Sequence, residues 1–316
     1  MTLRRVLRLI GSVMVLTVAM YILFVVGALT MGPKVDTSKM TPADTALSAR
    51  LLLLVCLADT LILSWIILCS KLRGWRLVGV CAVLFYGVKT LLSAVEAWYF
   101  MPNLTPQMIP GLFKMSIPIA LLFPPLAVWI LGKARGTGQA DTSPRIPFRQ
   151  LAWKVVLLAA LVYPLLFFGF GYFVAWKNPA VRNFYHGSDA GSFVVHMSRT
   201  LSGDPMLYPF EFLRGLVWVA LAVLLIRTAK GSAWQIGLMV AVLFALLMND
   251  SHVLPNPLMP REVSTTHFIE TASSNFIWGL VIVWLLHRPH RSLRDLFSIK
   301  AVTAPWPQDR PADGTQ

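Results

Sequence analysis

The stretch that decides the fold runs from Asn249 to Asn275, NDSHVLPNPLMPREVSTTHFIETASSN. It sets polar and ionisable residues against the last apolar run, of which only Phe276 to Leu286 is continuously apolar before His287. At about 1.5 Å of rise per residue, that run covers roughly half of a hydrocarbon core of about 30 Å. The span is complete only with residues 268–275, which brings His267, Glu270, Thr271, Ser274 and Asn275 into the membrane or to its edge. Offsets of 0, 3, 4, 7 and 8 put these five on one helical face. Polar groups at that depth are costly against lipid, so the face is expected to turn inward onto a polar chamber.

Composition places the rest of the chain around that chamber. Of 316 residues, 56% are hydrophobic and 13% charged, with a mean hydropathy of +0.66. A soluble domain carries about 25% charge. The expected fold class is all-α, a polytopic integral membrane protein of about eight transmembrane helices, whose partner is the lipid bilayer. The formal charge of +14 raises the question of nucleic acid. Its Lys and Arg residues lie in segments between apolar runs and are not gathered with aromatics on a soluble face, so no nucleic-acid partner is expected. Cys56, Cys69 and Cys81 fall within apolar runs without ligand spacing and read as small buried hydrophobes.

Residues 9–30 form the first run, behind Arg4, Arg5 and Arg8. It is too long for a cleavable signal core of about 7–15 residues, which predicts an uncleaved anchor with a cytoplasmic N-terminus. Runs 49–70 and 77–100 form a hairpin around the basic turn KLRGWR. Asp59 lies about eleven residues from the outer start of its span, and Lys89 about twelve from the inner start of the next. Antiparallel packing therefore brings both to mid-membrane and predicts that they pair. A functional site and a structural ion pair account for them equally well. Glu96, seven residues past Lys89, stands roughly 10 Å further along the axis and needs another partner.

The fourth run, 111–132, holds Pro118, Pro124 and Pro125 and is expected to kink. Residues 133–150 read as a cytoplasmic linker between a first four-helix half, 1–132, and a second, 151–290. Residues 291–316 read as a basic, unstructured cytoplasmic tail. In the second half, run 151–176 is interrupted by Pro164 and GFGY. In the long outer loop that follows, Ser188 or Asp189 is expected to cap a short amphipathic helix ending at Gly203, with His196 on its polar side. Run 209–226 begins with Glu211 and Arg214 at one-turn spacing, and run 233–248 leads to Asn249. Eighteen of the twenty-eight Lys and Arg residues fall on the cytoplasmic side of this scheme and nine outside, with Lys89 within the membrane.

Ligand-capable residues assigned to the outer side concentrate in the second half. His252, His267 and Glu270 are the candidate metal ligands, because imidazole and carboxylate are the groups that hold a divalent ion such as Zn²⁺. His196, Asp250 and Arg261 are the candidate catalytic groups, Arg261 for its fork of donors toward an anion. Asp59, Lys89 and Glu96 are the intramembrane charges. The leading function is an enzyme of the plasma membrane (the inner membrane, if bacterial) with a polar, metal-assisted site on the non-cytoplasmic face. It would hydrolyse, or transfer a group on, a lipid or lipid-linked substrate. The alternatives are a transporter or channel using Asp59, Lys89 and Glu96, or a structural or sensory subunit.

Overall fold

The computed structural model describes residues 2–36, 38, 40–136, 138, 146–187, 189–288, 290, 295 and 296. Residues 137 and 139–145 of the expected linker, the expected cap Ser188, and all but Asp295 and Leu296 of the tail lie outside the described residues.

The protein is all-helical among the described residues, and seven helices are long and apolar enough to cross a membrane. They are α1 (Leu3–Met31), α2 (Pro42–Leu68), α3 (Gly74–Phe100), α4 (Ile109–Ile130), α5 (Phe148–Ala175), α8 (Leu207–Thr228) and α10 (Arg261–His287). Between α5 and α8 lie the short α6 (Pro179–Phe184) and α7 (Phe193–Gly203). The remaining expected crossing is the shorter apolar α9 (Ala233–Leu247), followed by a 3₁₀ turn at Asp250–Val253. This is a multi-pass membrane protein. Trp75, Trp129 and Trp234, beside the basic turns at one end of the bundle, are exposed as interfacial tryptophans are.

Local chemistry sets the helix ends. The Thr41 hydroxyl accepts from Asp44 N–H while the Asp44 carboxylate accepts from Thr41 N–H, and Pro42 opens α2. Ser232 and Gln235 form the same reciprocal box at α9. The cap of α7 is Ser192, whose hydroxyl accepts from Val195 N–H at 3.4 Å. This corrects the expected cap at 188–189, because Gly191 in a left-handed conformation (φ 62°) turns the chain only just before α7. The proline-rich α4 breaks at Met115–Ser116, directly ahead of Pro118, and continues through Pro124 and Pro125.

One core runs through both halves, including Leu16 and Met20 of α1, Phe85 of α3, Phe123 of α4, Trp218 of α8 and Trp278 of α10. Helices α9 and α10 pack in close contact. A Cβ on Gly279 would stand 2.6 Å from Ala241 Cα, so only glycine admits that contact. At the basic end the two short turns join. Lys71 N–H donates to Thr228 O at 2.7 Å, and Lys230 N–H to Cys69 O at 2.6 Å. Both basic turns therefore lie at the same end of the bundle, as the alternation of runs requires.

Candidate functional site

Two buried ion clusters and a chamber lie in the polar interior among the described residues. Helix α3 widens into a π-helical segment over Tyr86–Leu92, a geometry concentrated at functional sites, and Lys89 sits in it. Lys89 Nζ lies 2.7 Å from Asp59 Oδ2 and 2.6 Å from Asp250 Oδ1. The depth-matched pair is thus present, and Asp250 joins it. All three side chains are buried. Burial, and then the charge of Asp59, hold the Asp250 carboxyl well above the ordinary carboxylate range.

The second cluster supplies the partner that Glu96 needed. Arg214 Nη1 donates to both oxygens of Glu211, at 2.8 and 2.9 Å, and Nη2 donates to Glu96 Oε2 at 2.5 Å. Arg214 and Glu211 are buried, whereas the Glu96 side chain is 25% exposed. The signal was within reach in the sequence. Glu96 and Arg214 lie near the ends of their spans away from the basic turns, so the depth argument that paired Asp59 with Lys89 applies to them too.

Between these clusters and the loops at the end of the bundle away from the basic turns lies a chamber of about 430 Å³. Phe24, Met115, Phe167 and Phe168 contribute to its apolar walls, and Lys89, Glu96, His196, His252, His267 and Glu270 also line it. A volume of this size suits a small organic ligand or part of a lipid. Beneath it, a space of about 20 Å³, enough for one water, runs between Glu96 and Arg214 on one side and Glu270, Ser274 and Asn275 on the other.

The long α10 carries the reactive wall. Its first half is helical from Arg261 onward, and Glu270 and Asn275 are buried, so the short apolar run is completed as the span length required. His267 Nδ1 lies 2.8 Å from Glu270 Oε2, and its Nε2 lies 3.1 Å from the Tyr185 hydroxyl. With Glu270 ionised, Nδ1–H donates to the carboxylate and Nε2 is left as the acceptor for Tyr185 O–H. Tyr185 is held there by α6. Asn178 caps that helix and its Nδ2 donates to Thr266 Oγ1 of α10 at 2.8 Å. The chain leaves through His186 at φ 55°, and Gly187 packs against the Trp176 ring. Burial pushes the Tyr185 phenol up, so it stays protonated as a donor. Nothing in the sequence singled it out, since its role depends on a loop returning over α10.

His252 lies beside His267. Its ring centroid is 6.2 Å from that of His267, and its carbonyl accepts from the Ser264 hydroxyl at 2.5 Å. Burial, and then His267, lower His252 to about 4, so it is neutral at physiological pH. His196 also reaches the chamber, with its ring 5.1 Å from Trp176 and 5.5 Å from Tyr172, and burial lowers its pKa as well. The three expected catalytic groups do not meet. Asp250 is bound to Lys89 below the chamber, and Arg261 is exposed at the start of α10 and does not line the chamber. Among the described residues no group of three His, Cys, Asp or Glu side chains is arranged to hold a metal ion. In comparison with known proteins, the chain matches no family, no curated protein and no solved structure.

Proposed function

We propose that the protein is a membrane-embedded acid–base enzyme acting on a lipid or lipid-linked substrate, with eight crossings, both termini cytoplasmic and the chamber facing away from the cytoplasm. The observation that carries this reading is the His267–Glu270 dyad set in the wall of a largely apolar chamber. Glu270 fixes the imidazole tautomer, and the Tyr185 hydroxyl on Nε2 marks where the O–H of a nucleophile would stand. His267 would take that proton as the oxygen of water or an alcohol attacks, then return it to the leaving oxygen. The apolar walls suit an acyl or prenyl chain, while Lys89 and His252 offer donors to a polar head. A metal-assisted form built on His252, His267 and Glu270 would require His267 to give up Glu270 or Tyr185, because both its nitrogens are engaged. The acid–base form needs only Tyr185 displaced by substrate. Fifteen residues of α9 span about 22 Å, so the eighth crossing would use Met248 and Asn249 as well.

The test is occupancy of the chamber. Protein reconstituted in phosphatidylethanolamine and phosphatidylglycerol vesicles carrying a photoactivatable acyl chain should form adducts at Phe100, Phe167 or Met115. Those adducts should be lost in Gly171→Trp, where the new side chain grows toward Glu270, 3.5 Å from a Cβ at that position. Adducts confined to the exposed face of α1 would sink the reading. The fully buried Lys89 cluster favours a second reading, proton or ion transport, which predicts pH-driven flux in the same vesicles.

A further inference from the structure

The Lys89 cluster holds two acids and one base, all buried, beside the chamber, and its hydrogen bonds do not balance. Asp59 Oδ2 and Asp250 Oδ1 are taken by Lys89. The other oxygen of each, Asp59 Oδ1 and Asp250 Oδ2, is buried without a partner. Asp59 is 1% exposed and Asp250 6%, so bulk solvent does not reach these oxygens. The two carboxyls face one another across a single ammonium, each within 2.7 Å of the same Lys89 Nζ. If both were ionised, two acceptors would face each other and the cluster would carry a net charge of −1 where ions are least tolerated.

We infer that Asp59 and Asp250 form a proton-binding site, holding one exchangeable proton between their carboxyls while Lys89 clamps both from the other side. One proton corrects both faults. A protonated carboxyl is a donor, so it joins the two leftover oxygens in one O–H···O bond, and it brings the cluster to zero charge. The proton adds to one carboxylate and no covalent bond other than O–H forms or breaks. Three separate elements meet on it, α2, the π-helical turn of α3 and the 3₁₀ turn at Asp250–Val253. Lys89 also lines the chamber, and it is the side chain that connects chamber and proton. Losing the proton would leave a buried negative charge that can be met only by admitting water or a small cation through the chamber.

Other titratable groups occur on every element packed against the site except α9. On α2 the Cys56 thiol stands close to all three members. On α3 are Tyr86, whose hydroxyl donates to Phe113 O, and Glu96, on α8 Glu211 with Arg214, on α10 His267 and Glu270, and in the 3₁₀ turn His252. Tyr21 lies on α1 and the exposed Lys114 on α4, and α9 presents none. None of them is hydrogen-bonded to Asp59 or Asp250.

This inference does not depend on the acid–base reading of His267, and its test leaves that reading untouched. Infrared difference spectra of the full-length protein in detergent at pH 7 should show loss of one protonated-carboxyl C=O band, shifted in D₂O, in Asp250→Asn relative to wild type. The same band should be lost in Asp59→Asn, because the single remaining carboxylate then pairs with Lys89 and ionises. A difference spectrum showing only loss of carboxylate stretches would overturn the proposal. Wild-type protein labelled with ¹³C-carboxyl aspartate requires no variant to fold. One aspartate pair should keep a protonated or shared-proton shift at pH 7, and a spectrum in which every aspartate is ionised would also overturn it.

Discussion

Lys89 and Arg214 each hold two carboxylates in the same helix bundle, yet the two clusters solve the problem of an excess negative charge differently. Arg214 has a fork. Its Nη1 satisfies both oxygens of Glu211 and its Nη2 reaches Glu96, whose side chain keeps a quarter of its surface open. Lys89 offers one compact ammonium, which reaches a single oxygen of each aspartate and leaves one oxygen per carboxyl without a donor in a closed site. The planar guanidinium distributes donors over several acceptors, whereas the ammonium is a point charge. Among the described residues the cluster beside the chamber leaves no carboxylate oxygen buried without a donor, and the Lys89 cluster leaves two.

The comparison breaks most visibly at its cations. Lys89→Met leaves two buried acids unpaired and should lower stability by about 3–5 kcal/mol, the range for removing one partner of a buried ion pair. Adding Asp59→Asn and Asp250→Asn should recover most of the loss, as read by thermal unfolding in detergent, while equal losses in the single and triple variants would mean that the cluster is not a unit. Arg214→Met should cost less, because Glu96 can turn to the chamber and only Glu211 is stranded. Should Arg214→Met prove more damaging than Lys89→Met, solvent access would not be what separates the clusters.

The smaller effect is in pH dependence, where two groups beside the chamber have opposite signs. His252, lowered from 6.5 to about 4, binds a proton in the unfolded chain before it does in the folded one. Stability is therefore lost as pH falls from about 6.5 through about 4, at no more than about 1.4 kcal/mol per pH unit. Asp250, raised above its ordinary value, keeps its proton when the unfolded chain has released it, so stability falls as pH rises above about 3.8. His252→Gln should flatten the first slope and Asp250→Asn the second. If both variants keep the wild-type profile, the shifts belong to other groups.

Much of this architecture was legible in the sequence because it follows from length and depth. The eleven-residue apolar run forced residues 268–275 into the span, and α10 is continuous through them. Depth matching paired Asp59 with Lys89 and, applied further, would have paired Glu96 with Arg214. What escaped depends on how loops return. Tyr185 reaches His267 only because α6 is tied to Thr266, and Asp250 turns inward to Lys89 although it lies between spans. Arg261 had the right chemistry for an anion, but as the first residue of α10 it is exposed and away from the chamber.

The central claim is that His267 performs acid–base chemistry on a lipid-class molecule. Its most direct test is turnover in vesicles of phosphatidylethanolamine and phosphatidylglycerol doped with a cell-membrane lipid extract, with every lipid species followed by mass spectrometry. Wild-type protein should deplete one species and accumulate its product. His267→Gln should slow this by about 10²–10⁴-fold, the span for loss of a general acid–base group, without lowering the yield of folded protein. Glu270→Gln should give an intermediate loss, since Glu270 acts by holding the imidazole, while Tyr185→Phe should retain turnover. Equal rates in wild type and His267→Gln, or no lipid changed by wild-type protein, would contradict the claim.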